Sequence, residues 1–241
     1  MNPGRRIVAF GVALAPWCLA GPAAPASPAP PCCGVPDAQA RALRSLLDHS
    51  GVERLWLPHT TVDWLSGQPR PTARGLRPLA SHCSAFVASI ASRLGVELPH
   101  PPRYPQRLLA NTQARWLASA AARDAGWRPA GLLQAQTLAN RGWLVLAAFA
   151  SPDARRPGHI AVVRPSLIDQ ARLWESGPWI TQAGTRNWLR ISTARGFAQH
   201  PGAWKPGASG GLRLYAHAVD ARRIGPGATP RGRTGRQAGS G

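Results

Sequence analysis

Apolar residues recur at helical spacing in the first part of the chain and gather into strand-length runs in the second. Asp37–His49 sets Ala40, Leu43, Leu46 and Leu47 along one side, with Gly51 as a stop. A second helix starts near Ser81, runs to Leu94 and ends at Gly95. Its Cys83, Val87, Ile90 and Leu94 are spaced 4, 3 and 4 and share a face. Shorter helices are expected over Leu108–Ala122 and over Leu132–Asn140, the latter ended by Gly142. Beyond Gly142 the pattern changes. Trp143–Ala150, His159–Val163, Trp179–Gln182 and Leu212–Val219 read as strands. Most are too close together for helical crossovers, so they form an antiparallel sheet. Helices followed by strands predict an α+β domain, here spanning residues 37–220.

The ends of the chain have a different texture. Arg5 and Arg6 precede an apolar stretch of about a dozen residues and then small residues around Ala24-Pro25-Ala26, the layout of a secretory signal peptide over residues 1–26. A Pro/Ala-rich linker follows over 27–36, and Ala221–Gly241 reads as a disordered basic tail with five arginines and no acid. No other apolar run approaches the roughly 20 residues that span a bilayer.

Composition sharpens this picture in two ways. The 241 residues carry 29 Lys+Arg against 10 Asp+Glu, a net charge of +19, and Lys205 is the one lysine. Loss of residues 1–26 removes Arg5 and Arg6 and no acid, giving +17. Such a chain could bind nucleic acid or an anionic envelope polymer. The arginines are dispersed rather than striped, which argues against nucleic acid and for the envelope polymer. After export three cysteines remain, Cys32, Cys33 and Cys83. An odd number leaves one thiol over unless it pairs between chains. Adjacent Cys32 and Cys33 either pair with each other or stay unpaired, which singles out Cys83.

Cys83 falls in the first turn of the second helix, with Ser81 as the expected N-cap. Free N–H groups and the helix dipole lower a thiol pKa there and favour the thiolate. A thiolate nucleophile needs an imidazole within reach and a third group to orient the ring. His159 opens a strand, with Ala161 and Val163 on its own face. Gln182 closes the next strand and can lie beside His159 if the two pair. No metal-ligand spacing, Gly-x-Ser-x-Gly elbow or phosphate loop accompanies them, and no cofactor is implied. The ten tryptophans are expected mainly in the core and at its rim.

Ser-His-Cys-Ser-Ala-Phe-Val, Pro-Gly-His-Ile-Ala-Val-Val and Trp-Ile-Thr-Gln-Ala-Gly together resemble three segments of the NlpC-type cell-wall cysteine peptidases. These are the nucleophile helix start, the Gly-His strand and the following strand with its third polar residue. The resemblance covers roughly residues 80–190. It implies a papain-like core with the nucleophile helix packed on an antiparallel sheet. It also implies Cys83 as nucleophile, His159 as base, Gln182 as orienting residue, and hydrolysis of amide bonds in peptidoglycan stem peptides. The chain departs from the pattern where His82 replaces the usual Asp. The separation of 76 positions from Cys83 to His159 implies an insertion around 99–142. The competing expectation is a non-catalytic basic binding protein on the same fold.

Overall fold

The computed structural model describes residues 31–207 and 210–224. The expected signal segment and residues 225–241 lie outside the described residues. In chain order the elements are α1 (Ala38–Asp48), α2 (Cys83–Arg93), α3 (Leu109–Leu117), α4 (Ala120–Asp124), β1 (Arg128–Ala130), α5 (Leu132–Ala139), β2 (Leu144–Phe149), β3 (His159–Val163), α6 (Gln170–Ser176), β4 (Trp179–Gln182), β5 (Trp188–Ser192), α7 (Thr193–Gly196) and β6 (Arg213–His217). The fold is α+β.

Six strands form one antiparallel sheet in the order β1-β6-β2-β3-β4-β5. Both faces are covered, which explains why β2 and β3 are apolar without alternation and buried at every position. Leu144, Leu146, Ala148, Ile160 and Val162 share a cluster with Leu43 and Leu47 of α1 and with Phe86, Val87 and Ile90 of α2. Val145, Ala147, Ala161, Val163 and Ile180 share a second cluster with Ala135 and Ala139 of α5 and with Phe197, just past α7.

Asp37 caps α1 by accepting the Ala40 N–H at 2.8 Å. The far end of α1 is held to the sheet by Asp48, which pairs with the buried Arg164 just beyond β3. That guanidinium also donates to Thr181 Oγ1 at 2.8 Å and to the Leu189 carbonyl at 3.1 Å. The expected helix over 108–122 is instead a 3-10 turn (Gln106–Leu108), α3 and α4. The break comes at Ser119, whose hydroxyl accepts the Ala122 N–H and starts α4. Short β1, the edge strand β5 and the short helices α6 and α7 are additions to the pattern expected from sequence.

The chain ends are packed where they are described. Cys32 and Cys33 are disulfide-bonded to each other, and Cys33 is buried against Ile168 and Leu173. Residues 31–36 of the expected linker therefore lie on the domain. Ala221–Arg223 form a 3-10 turn that buries Ile224 in the helical-side cluster, so the start of the expected tail is folded. No helix among the described residues is long and apolar enough to cross a membrane.

Candidate functional site

Cys83 is the first residue of α2, one position closer to the helix start than the sequence pattern suggests. The N-cap is His82, not Ser81, and its side chain makes no capping bond. Ser81 Oγ instead accepts the Cys83 N–H at 3.4 Å. All of Cys83–Ala91 is buried, so α2 is a central helix rather than a half-exposed one.

Pairing between β3 and β4 covers Val162↔Thr181 and Val163↔Ile180 and goes no further toward the start of β3. The start of α2 meets this opening, where the backbone amide of Ile160 is close enough to the Cys83 sulfur to favour its charged form. Cys83 belongs to the α2 side of the sheet, whereas the His159 ring lies on the opposite side, edge-on to Phe197 with centroids 4.7 Å apart. At this end of β3, which β4 leaves unpaired, residues from both faces line one cavity.

His159 and Gln182 are joined directly, with Nε2 2.9 Å from Gln182 Oε1. The Gln182 amide is oriented from its other end too, Nε2 donating to the Arg186 carbonyl at 3.5 Å. Because Oε1 can only accept, His159 Nε2 carries the proton and Nδ1 keeps its lone pair. Nδ1 has no hydrogen-bond partner among the described residues. Two glycines permit this arrangement. A Cβ at Gly196 would sit 2.6 Å from Gln182 Oε1, and one at Gly158 would overlap the Phe149 carbonyl. Asn111 braces the loop before His159 by donating to the Arg156 carbonyl at 2.8 Å and accepting the Ser151 N–H at 2.9 Å.

Cys83, His159 and Gln182 all line one cavity of about 680 Å³. They are only 6%, 3% and 5% exposed, so desolvation dominates their electrostatics. Burial pushes the Cys83 thiol up, against the Ser81 hydroxyl and the backbone amides of Ile160, Ser84 and Cys83, which favour its charged form. This corrects the expectation of a thiol lowered by the helix start: loss of solvent outweighs the amides. Burial takes His159 down to about 4, partly opposed by Gln182. At neutral pH both groups are therefore uncharged, a thiol and a neutral imidazole rather than a preformed ion pair. No hydrogen bond links the Cys83 sulfur to the His159 ring; such bonds are commonly long until substrate is bound.

One neighbour escaped the sequence reading. His200 lies nearly parallel to His159, with ring centroids 5.1 Å apart and a 9° interplanar angle. Burial, His159 and Arg156 hold it at about 4. It lies 41 residues beyond His159, in a loop with no motif to mark it. Of the tryptophans, Trp188 reaches the cavity, while Trp56 and Trp127 are buried in the core. Among the described residues no group of three or more His, Cys, Asp or Glu is placed to hold a metal.

Fold and site together define an α+β protein with a buried His–Gln pair and a free thiol on one cavity. Neither a protein-family model nor a curated protein matches the chain.

Proposed function

We propose that this protein is a secreted cysteine hydrolase that cleaves an amide bond in peptidoglycan stem peptides, on a papain-like core of the NlpC type. The observation that carries the reading is the His159–Gln182 hydrogen bond on the wall of the cavity that Cys83 also lines. That bond leaves a lone pair on Nδ1, the form a general base requires. The three-motif resemblance supplies the substrate class, and the N-terminal segment supplies export.

In this mechanism the Cys83 proton passes to His159 Nδ1 as the sulfur attacks the scissile carbonyl carbon. The tetrahedral oxyanion is held by backbone N–H groups at the start of α2, including that of Cys83 once it gives up its long 3.4 Å bond to Ser81 Oγ; in studied enzymes one such donor contributes about 10²–10³ in rate. The imidazolium then protonates the leaving amine as the C–N bond breaks, leaving a thioester on Cys83. Water, deprotonated by His159, attacks the thioester and releases the acid, and the thiol regains its proton. Gln182 keeps the ring in the Nε2–H tautomer throughout and takes part in no bond change.

The test is incubation of purified stem peptides with the mature protein and with Cys83→Ala, the products being weighed by mass spectrometry. The expected result is a pair of fragments whose summed mass exceeds the substrate by one water, formed by the wild type alone. Equal cleavage by a folded Cys83→Ala variant overturns the proposal.

A further inference from the structure

The wall around Cys83 carries an uneven charge. Arg107, Arg156, Arg186 and Arg195 line the cavity from four separate segments: the 3-10 turn before α3, the β2–β3 loop, the β4–β5 loop and α7. None of the four forms a salt bridge among the described residues. The one acid on the wall, Asp153, is already engaged with a fifth arginine, Arg155, at 3.5 Å. Arg186 is held over the Trp188 ring, 5.3 Å from its centroid, and Arg156 is close enough to His200 to disfavour its protonation. All four are exposed residues of that wall; like charges gathered on one wall repel one another, and a concave surface over a low-dielectric interior concentrates their field. The guanidinium fork matches a carboxylate bidentately.

We propose that this cavity selects a peptide carrying free carboxylates beside the amide it presents to Cys83. The proposal rests on the hydrolase reading and adds the charge class of its substrate. A carboxylate-bearing peptide, rather than a long phosphate polymer, suits the site because the thiol lies buried on a cavity of bounded size. The segment reaching it must be short and must bring an acyl carbon. The arginines then act as specificity determinants: they hold groups flanking the reacting carbonyl and take no part in bond making.

Two measurements separate this claim from the one beneath it. In the first, the mature protein is alkylated at pH 8 and low salt with iodoacetate or with iodoacetamide, and the Cys83 peptide is followed by mass spectrometry. The rate ratio of charged to neutral reagent should exceed that of free cysteine by about tenfold. It should return toward the free value in the Arg156→Gln/Arg186→Gln double variant and in 0.5 M salt, where the Debye length shrinks to about 4 Å. A ratio equal to that of free cysteine overturns the charge selection while leaving the nucleophile intact. A Cys83 inert to both reagents instead counts against the hydrolase reading.

In the second, a fluorescent Ala-Glu-Glu-Ala peptide, its Ala-Gln-Gln-Ala amide and a phosphoserine counterpart are titrated into Cys83→Ala. Tenfold tighter binding of the acid peptide than of the amide, lost in the same double arginine variant, supports the proposal whatever the thiol does. Equal affinities overturn it, and a phosphoserine peptide binding tightest reassigns the site to phosphate.

Discussion

Two buried histidines bear on the candidate nucleophile, one next to it in sequence and one on the same cavity, and they are built in opposite ways. His82 has both ring nitrogens engaged: Nε2 lies 2.7 Å from the Thr60 carbonyl and Nδ1 lies 2.9 Å from Gln106 Nε2. Since the Gln106 amide donates, Nδ1 accepts and Nε2–H donates to Thr60. The ring is saturated and joins the 52–80 segment to the start of α2. His159 is as deeply buried, yet one nitrogen is bonded to Gln182 and the other has no partner. Among the described residues, the buried side-chain atoms left without a partner are Gln113 Oε1, Gln136 Oε1 and Ser166 Oγ; His159 Nδ1 is not one of them, and its ring borders the cavity instead. Burial alone does not separate a structural histidine from a chemical one; the count of satisfied nitrogens does.

The largest way to break the comparison is to remove the open histidine. His159→Ala should lower peptide cleavage by about 10⁴-fold or more, as loss of a base does in hydrolases that act through a nucleophile–base unit. Its folded structure should persist, as judged by circular dichroism. Next is the orienting bond. Gln182→Ala frees the ring to rotate or switch tautomer, and a small misplacement can cost about 10²-fold in kcat. Gly196→Ala should fall in the same direction but less far, because its methyl displaces the Gln182 amide without deleting it. Steady-state kinetics on the same peptide rank the three.

Replacing the closed histidine sharpens the contrast from the other side. His82→Ala strands the Thr60 carbonyl and the Gln106 amide. It should cost about 1–3 kcal/mol in denaturant-measured stability, with the pH dependence of cleavage unchanged in the fraction that remains folded.

The smallest effect concerns acid. His159 and His200 are both held at about 4, so between the ordinary histidine range and pH 4 the unfolded chain binds protons that the folded one does not. Stability is therefore fully present above about 6.5 and falls as pH drops through this window toward 4. Thermal midpoints across pH 4–7 should decline on acidification, and the slope should flatten in His159→Gln.

Much of this was legible in the sequence because it lay in short runs. The apolar stretch Leu144–Phe149 and the Gly-His-apolar segment at 158–163 announce two central strands, and Asp37 with its following apolar spacing announces α1. The bond between His159 and Gln182 was legible because adjacent antiparallel strands bring their ends together. What was not legible depends on tertiary surroundings. β1 contains Pro129, which no central strand tolerates, and survives only at the sheet edge. β5 is half exposed and mixes Trp188 and Arg190 with Ile191, so it gives no clean alternation. The elevated thiol could not be read either. A helix start lowers a cysteine in general, and only burial by neighbours distant in sequence reverses the sign. His200 reached the site from a loop that carries no periodic signal.

The most direct measurement is a pre-steady-state burst with a short peptidyl p-nitrophenyl ester, followed by weighing of the modified protein. The account predicts about one equivalent of nitrophenol and the acyl group on Cys83, in both the wild type and His82→Ala. It predicts no burst in Cys83→Ala and acylation slowed at least about 10³-fold in His159→Ala. An undiminished burst without His159, or an acyl group found on any other residue, contradicts it.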